Sequence, residues 1–209
     1  IVNFNFFNAA PRAVLPIVAT WSKLHSLQLS LFKRDLSLLD LASLRKLSNL
    51  ELSDADEKQT LEAATGSTIL SSFFRTLAAL SKLERLCFIL DYNLADFART
   101  LTLPVAREVT LASWFTVSAP NLRSLTIAQR AKPRSLDVSQ LFFGAAPGLE
   151  QLSVDFVKAN DWLQEPALIQ LLHRLQPSLT SLSLSCDLSH AALAELGCLH
   201  ALKSLGVWT

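Results

Sequence analysis

The side chains best suited to chemistry crowd into the last part of the chain, where Cys186, His190, Cys198 and His200 read C-x3-H-x7-C-x-H. Thiolate and imidazole are the ligands zinc prefers, and four of them in a short span match its tetrahedral demand. The spacing is not that of a zinc finger. The phase of the chain described below instead makes Cys186 a small inward apolar residue and Cys198 part of a connecting turn. No metal and no cofactor are expected.

Nucleophilic chemistry has less support. The sequence holds no G-x-S-x-G, no phosphate-cradling glycine loop and no H-E-x-x-H, and only five glycines in all. Cys87 falls on an outward strand position without an activating partner, which reads as a solvent-accessible surface thiol. His25 is the one histidine expected on the same face. The chain is therefore expected to be no enzyme. Two charge runs, Lys33-Arg34-Asp35 and Arg130-Ala-Lys-Pro-Arg134, follow strands and read as solvated loops, the second as a small basic rim. Trp162 and Phe115 fall in connections. Phe7 and Trp208 sit one place past an inward pair, where packing at the ends explains them.

The bulk numbers narrow the classes further. Lys and Arg total 19 against 18 Asp and Glu, a net charge of +1 that lacks the basic excess of nucleic-acid or anionic-membrane surfaces. Three cysteines, an odd and small set, point to free thiols in a reducing intracellular compartment, the cytoplasm. No apolar run approaches the ~18 residues that span a bilayer, and Ile1 to Ala10 lacks the charged leader of a signal peptide. The chain opens without Met and inside a motif, so residues 1–209 read as one domain cut from a longer repeat protein.

The elements that must position these residues come from an internal repeat. L-x-x-L-x-L, with Ile, Val, Phe or Ala allowed, begins at Ile1, Leu24, Leu47, Leu83, Ala106, Leu122, Leu149, Leu179 and Leu202, nine copies. Successive starts lie 23, 23, 36, 23, 16, 27, 30 and 23 residues apart. Proline supplies a register independent of leucine. Pro104, Pro120, Pro147 and Pro177 each stand two residues before a copy, where proline ends a helix and biases its predecessor to extended backbone.

In x-L-x-L both leucines turn to one side of an extended strand and the intervening polar residues to the other. One unit cannot bury its leucines alone, whereas stacked units share a core. Parallel stacking needs long returns, usually helical. Helices are expected in Ala10–Ser22, Ser67–Lys82, Asn93–Leu103, Val138–Ala145, Glu165–Leu175 and Ser189–His200. The 16-residue interval is too short for one and predicts a loop or single turn; the 36-residue interval predicts two helical pieces broken near Gly66.

These motifs resemble the leucine-rich-repeat superfamily along the whole chain. The ribonuclease-inhibitor-like and F-box-associated types are most similar, on the segment Leu179–Trp208 and on APNLRSLTI (Ala119–Ile127) and APGLEQLSV (Ala146–Val154). Interval lengths vary more than in that family, and its Asn after the strand is mostly missing. The resemblance implies an α/β solenoid, a right-handed horseshoe or arc. About nine parallel strands would line its concave face, with helices or loops on the convex side.

The outward strand residues would then form the site: Gln28, Asn49, Glu51, Glu84, Arg85, Arg107, Glu108, Arg123, Glu150, Gln151 and Asp155, with Ser181 and Ser183 last. Nine strands at ~4.8 Å spacing span on the order of 38 Å, which suits a protein partner better than a small molecule. The expected function is non-enzymatic protein binding, as in the substrate-recruiting part of an F-box-like ubiquitin-ligase adaptor, although no F-box-like segment lies in these residues. The alternative is a structural or assembly subunit of a larger complex. Neither a nucleic acid nor a membrane is expected as partner, and further repeats are expected outside the chain.

Overall fold

The computed structural model describes residues 2–9, 12–55, 63–89, 100–111, 116–129, 148–156, 169, 170, 172, 173, 175, 177–185 and 189–208. Nine strands form one parallel sheet: β1 (Val2–Ala9), β2 (Leu24–Leu31), β3 (Asn49–Asp54), β4 (Arg85–Ile89), β6 (Glu108–Leu111), β8 (Ser124–Gln129), β9 (Gln151–Phe156), β10 (Ser181–Ser185) and β11 (Ser204–Trp208). They lie side by side in chain order, one for each copy of the motif. Two further strands, β5 (Thr100–Thr102) and β7 (Thr116–Ser118), form a separate parallel pair. The described helices are α1 (Val14–Val18), α2 (Ala63–Ala78) and α3 (His190–Leu196), with a 3-10 helix at Lys33–Leu38. Residues 169, 170, 172, 173 and 175 are also helical.

The alternation of the motif fixes the register. Leu27, Leu50, Leu86, Val109, Leu125, Leu152, Leu182 and Leu205 are partners strand to strand. Leu29, Leu52, Phe88, Leu111, Ile127, Val154, Leu184 and Val207 form a second such row. From β2 to β10 every member of both rows is buried. A one-residue slip would turn both rows to solvent, so burial enforces the pairing. Only β1 departs, with register shifts after Val2 and after Phe6.

The first apolar residue of each copy is buried as well, from Leu24 through Leu179. Three places earlier stands another inward residue: Leu44, Leu80, Leu103, Ala119 and Leu199 are buried, and Trp21 is half-buried. A tight turn joins the two places, since the N–H groups of Leu24, Leu47, Leu83, Leu122 and Leu202 donate to the carbonyls of Trp21, Leu44, Leu80, Ala119 and Leu199.

Behind the sheet, α2 presents Leu70, Phe73, Phe74 and Leu77 on one face. Phe73 stacks on Phe88 at 5.6 Å and Phe74 meets it edge-on at 6.3 Å. This anchorage corrects the expected break near Gly66, because α2 runs through it. A mid-helix glycine costs roughly 1 kcal/mol, less than the burial of two phenylalanines returns. The side chain of Ser189 caps α3 by accepting from the Ala192 N–H.

In the middle of the molecule the returns are strands instead. Thr100-Leu-Thr-Leu103 and Thr116-Val-Ser-Ala119 alternate with period two and bury Leu101, Leu103, Val117 and Ala119. Of the helix expected over Asn93–Leu103, residues 93–99 lie outside the described residues and Thr100–Thr102 form β5 instead, while the 16-residue interval returns through β7. Pro104 and Pro120 consequently end short strands, while Pro177 follows a helix as expected. The helix expected at Val138–Ala145, the residues Phe115, Trp162, Cys186 and Pro147, and the run Arg130–Arg134 lie outside the described residues. So do the side chains of Phe7 and Trp208.

Lys33-Arg34-Asp35 is not a solvated run. Leu31 pairs with Asp54 at the end of β3, and two residues further on Lys33 Nζ meets Asp54 Oδ2 at 3.1 Å with both side chains buried. Asp35, 2% exposed, takes Arg12 at 2.7 Å, and only Arg34 stays exposed. Partners distant in sequence have drawn the charges inward.

Two stability measurements by urea denaturation follow. Leu50→Ala is expected to cost about 2–5 kcal/mol, and Leu205→Ala, at a 48% exposed position of the same row, under about 1 kcal/mol. Lys33→Met alone is expected to cost about 3–5 kcal/mol by removing a buried cation from beside Asp54, and Lys33→Met with Asp54→Leu to recover most of it.

Candidate functional site

Opposite the buried rows, the outward residues fall into columns set by the same register. The column at the strand starts runs Ser26, Asn49, Arg85, Glu108, Ser124, Gln151, Ser181 and Ser204. The middle column runs Gln28, Glu51, Cys87, Thr110, Thr126, Ser153, Ser183 and Gly206. One residue before that first column, His25 within β2 and Ser48, Glu84, Arg107, Arg123, Glu150, Thr180 and Lys203 ahead of their strands form a leading row.

Backbone hydrogen bonds link that leading row from strand to strand. The Ser48 carbonyl accepts from both Glu84 and Arg85 N–H, at 2.9 and 3.0 Å. The carbonyls of Glu84, Arg107, Arg123, Glu150 and Thr180 each accept in the same way from two successive N–H groups of the next strand. Parallel pairing thus extends one residue beyond the strand ends, and it places the charged residues on fixed backbone.

The structure gathers Glu84, Arg85, Arg107, Glu108, Arg123, Glu150 and Gln151 across β4, β6, β8 and β9. Glu150 is half-buried and the rest are exposed. Two cross-strand ion pairs form at matched positions: Arg85 Nε to Glu108 Oε2 at 2.7 Å, and Arg123 to Glu150. Both are largely solvated, so each is worth about 1 kcal/mol or less and orients side chains more than it stabilises. The bond to Glu108, then its charge, holds Arg85 still more firmly in its charged form. On β2 and β3, Gln28 Nε2 donates to Glu51 Oε1 at 2.8 Å, and Asn49 lies alongside, all half-buried. Asp155 is exposed but sits near the far end of β9, apart from the charged group.

Thr110, Thr126 and Ser153 complete the middle column and were not singled out among the candidate residues. Their signal is plain, since each is the x of an L-x-L. They leave the centre of the face uncharged and small beside a charged border.

Cys87 is half-buried in this column rather than open to solvent. Burial, and secondarily the charge of Glu51, pushes its thiol up to about 11. At neutral pH it is therefore protonated and a poor nucleophile. His190, Cys198 and His200 are exposed, and no group of three or more potential ligands that could hold a metal ion occurs among the described residues. Among those residues no helix is long and apolar enough to cross a membrane.

Compared with models of protein families, with curated proteins and with solved structures, the chain matches none.

The thiol gives a direct check. A rise from 9.0 to about 11 is two pH units, so near neutral pH iodoacetamide should label Cys87 about 100-fold more slowly than an unshifted thiol. Labelling should accelerate as pH climbs toward 11. Peptide mapping by mass spectrometry, with the urea-unfolded chain as reference, measures both.

Proposed function

We propose that this chain is a leucine-rich-repeat solenoid of the ribonuclease-inhibitor-like or F-box-associated kind. In this reading it is a non-enzymatic module that binds a protein on its strand face. The observation that carries the reading is the in-register outward face, hydrogen-bonded strand to strand through its backbone and balanced in charge along its border. Three arginines, Arg85, Arg107 and Arg123, stand against three glutamates, Glu84, Glu108 and Glu150. Such a field disfavours polyanions, which need a basic excess, and favours a protein surface with its own mixed charges. Its extent across nine strands, on the order of 38 Å, exceeds what a small ligand covers. An F-box-like adaptor that recruits substrates is the form of this function the sequence resemblance favours.

The second reading is assembly into a larger complex, and apolar residues of the last strand and of α3 are the ones it would use. Leu205 and Val207 on β11 and Leu193 on α3 are all exposed. Leu193 lies two residues from Glu195, which pairs with His173 of the preceding return at 3.0 Å. Two residues turn a helix by about 200°, so Leu193 points away from that return.

Affinity capture from native lysate with mass spectrometry separates these. Arg85→Glu with Arg107→Glu should lower partner recovery at least about ten-fold without changing the circular dichroism melt. Every partner retained by that variant would sink the strand face as the site. Loss on Leu205→Glu with Val207→Glu instead, in one stoichiometric complex, would establish the assembly reading. Ubiquitin-ligase components among the partners would identify the adaptor role.

A further inference from the structure

Resting on the reading of the strand face as a protein-binding surface, we propose that Arg107 is its anchor and takes a carboxylate, Asp or Glu, from the partner. Its neighbours are already engaged: Arg85 by Glu108 at 2.7 Å, and Arg123 by Glu150. Arg107 is exposed and makes no ion pair among the described residues. At the matching place on β8 stands a second arginine, and Glu84, at the matching place on β4, makes no ion pair with it.

The backbone does not let these two like charges drift apart. The Arg107 N–H donates to the Glu84 carbonyl at 2.8 Å, and the Arg107 carbonyl accepts from Arg123 and Ser124 N–H at 2.8 and 2.9 Å. The turns entering β6 and β8 are tied as well, by Asn121 Nδ2 donating to the Pro104 carbonyl at 2.8 Å. Adjacent like charges on a sheet are unfavourable, and an incoming anion relieves that repulsion.

Three features set the chemistry of the anion. A guanidinium presents a planar fork of donors that a carboxylate fills with two parallel hydrogen bonds. Glu84, at the matching place beside β4, and Glu108, next to Arg107 in the chain, penalise a second negative charge and so disfavour phosphate against carboxylate. Thr110 and Thr126, small and half-buried in the middle column of the same two strands, leave room for the chain that carries the carboxylate to approach. The anchor is therefore a single acidic side chain set beside small or uncharged residues of the partner.

The test pans the immobilised full chain with a random linear-peptide display library. Selected peptides are then titrated by fluorescence anisotropy against wild type, Arg107→Gln and Arg107→Lys. Enriched peptides should share an Asp or Glu, weaken about ten-fold or more on Arg107→Gln, and weaken less on Arg107→Lys. Replacing the shared acid by its amide should cause the same loss, and the two changes together should add little beyond either alone. Peptides insensitive to Arg107→Gln but lost on Arg85→Glu with Arg123→Glu would overturn the anchor and leave the binding face standing. Peptides insensitive to all of these variants, or a library that yields no binder, would overturn both. A phosphoserine version binding more tightly than the acidic peptide would overturn the carboxylate assignment.

Discussion

Everything in this molecule depends on the parallel pairing of each strand with the one before it. A single strand of the motif turns three apolar side chains inward and has nothing of its own to bury them against. Neighbours at ~4.8 Å supply both the backbone partners and the apolar contacts. The shared carbonyls that receive two N–H groups carry this coupling past the strand ends. The same bonds that close the core therefore also fix the border of charged residues, and the face inherits its precision from the scaffold.

What lies behind the sheet is far less uniform. The two longest returns carry helix, of which α2 grips Phe88 with two aromatic rings. The shortest closes through β7, paired with β5. The front tolerates this variety because its register is set by its own two apolar rows. A return has only to deliver the chain to the turn three residues before the next buried position, by whatever path its length allows.

The front was legible in the amino-acid sequence for that reason: alternating L-x-L fixes which side chains face inward, and nine copies give nine strands. The outward residues followed from the same alternation, but their pairings did not. Whether Arg85 reaches Glu108 or Arg107 meets Glu84 depends on side-chain reach between strands, which spacing along the chain does not encode. The inward place three residues before each copy was hidden because it belongs to a turn rather than to a strand. The back strands left a signal in Thr100-Leu-Thr-Leu103, but short alternating runs are easily read as helix ends. Gly66 and Lys33-Arg34-Asp35 were misread through local preference alone. Aromatic packing outweighed the glycine in one case, and Asp54 and Arg12 drew the charges inward in the other.

The short return through β7 has a consequence for cooperativity. In a sheet laid down in chain order, each inner strand is held chiefly by its two neighbours, so the whole is only as cooperative as its weakest junction. The unit containing β6 fills its first two buried places with Ala106 and Val109, where most others have leucine, and both back strands beside it are three residues long. Both side chains are smaller than the leucines that β2, β3, β4, β8, β9 and β10 place at the same two positions. The contacts of Arg85 with Glu108 and of Asn121 with Pro104 tie this unit to its neighbours on either side. Polar contacts that add little to stability elsewhere on the surface there help decide whether the two halves of the stack melt as one body or as two.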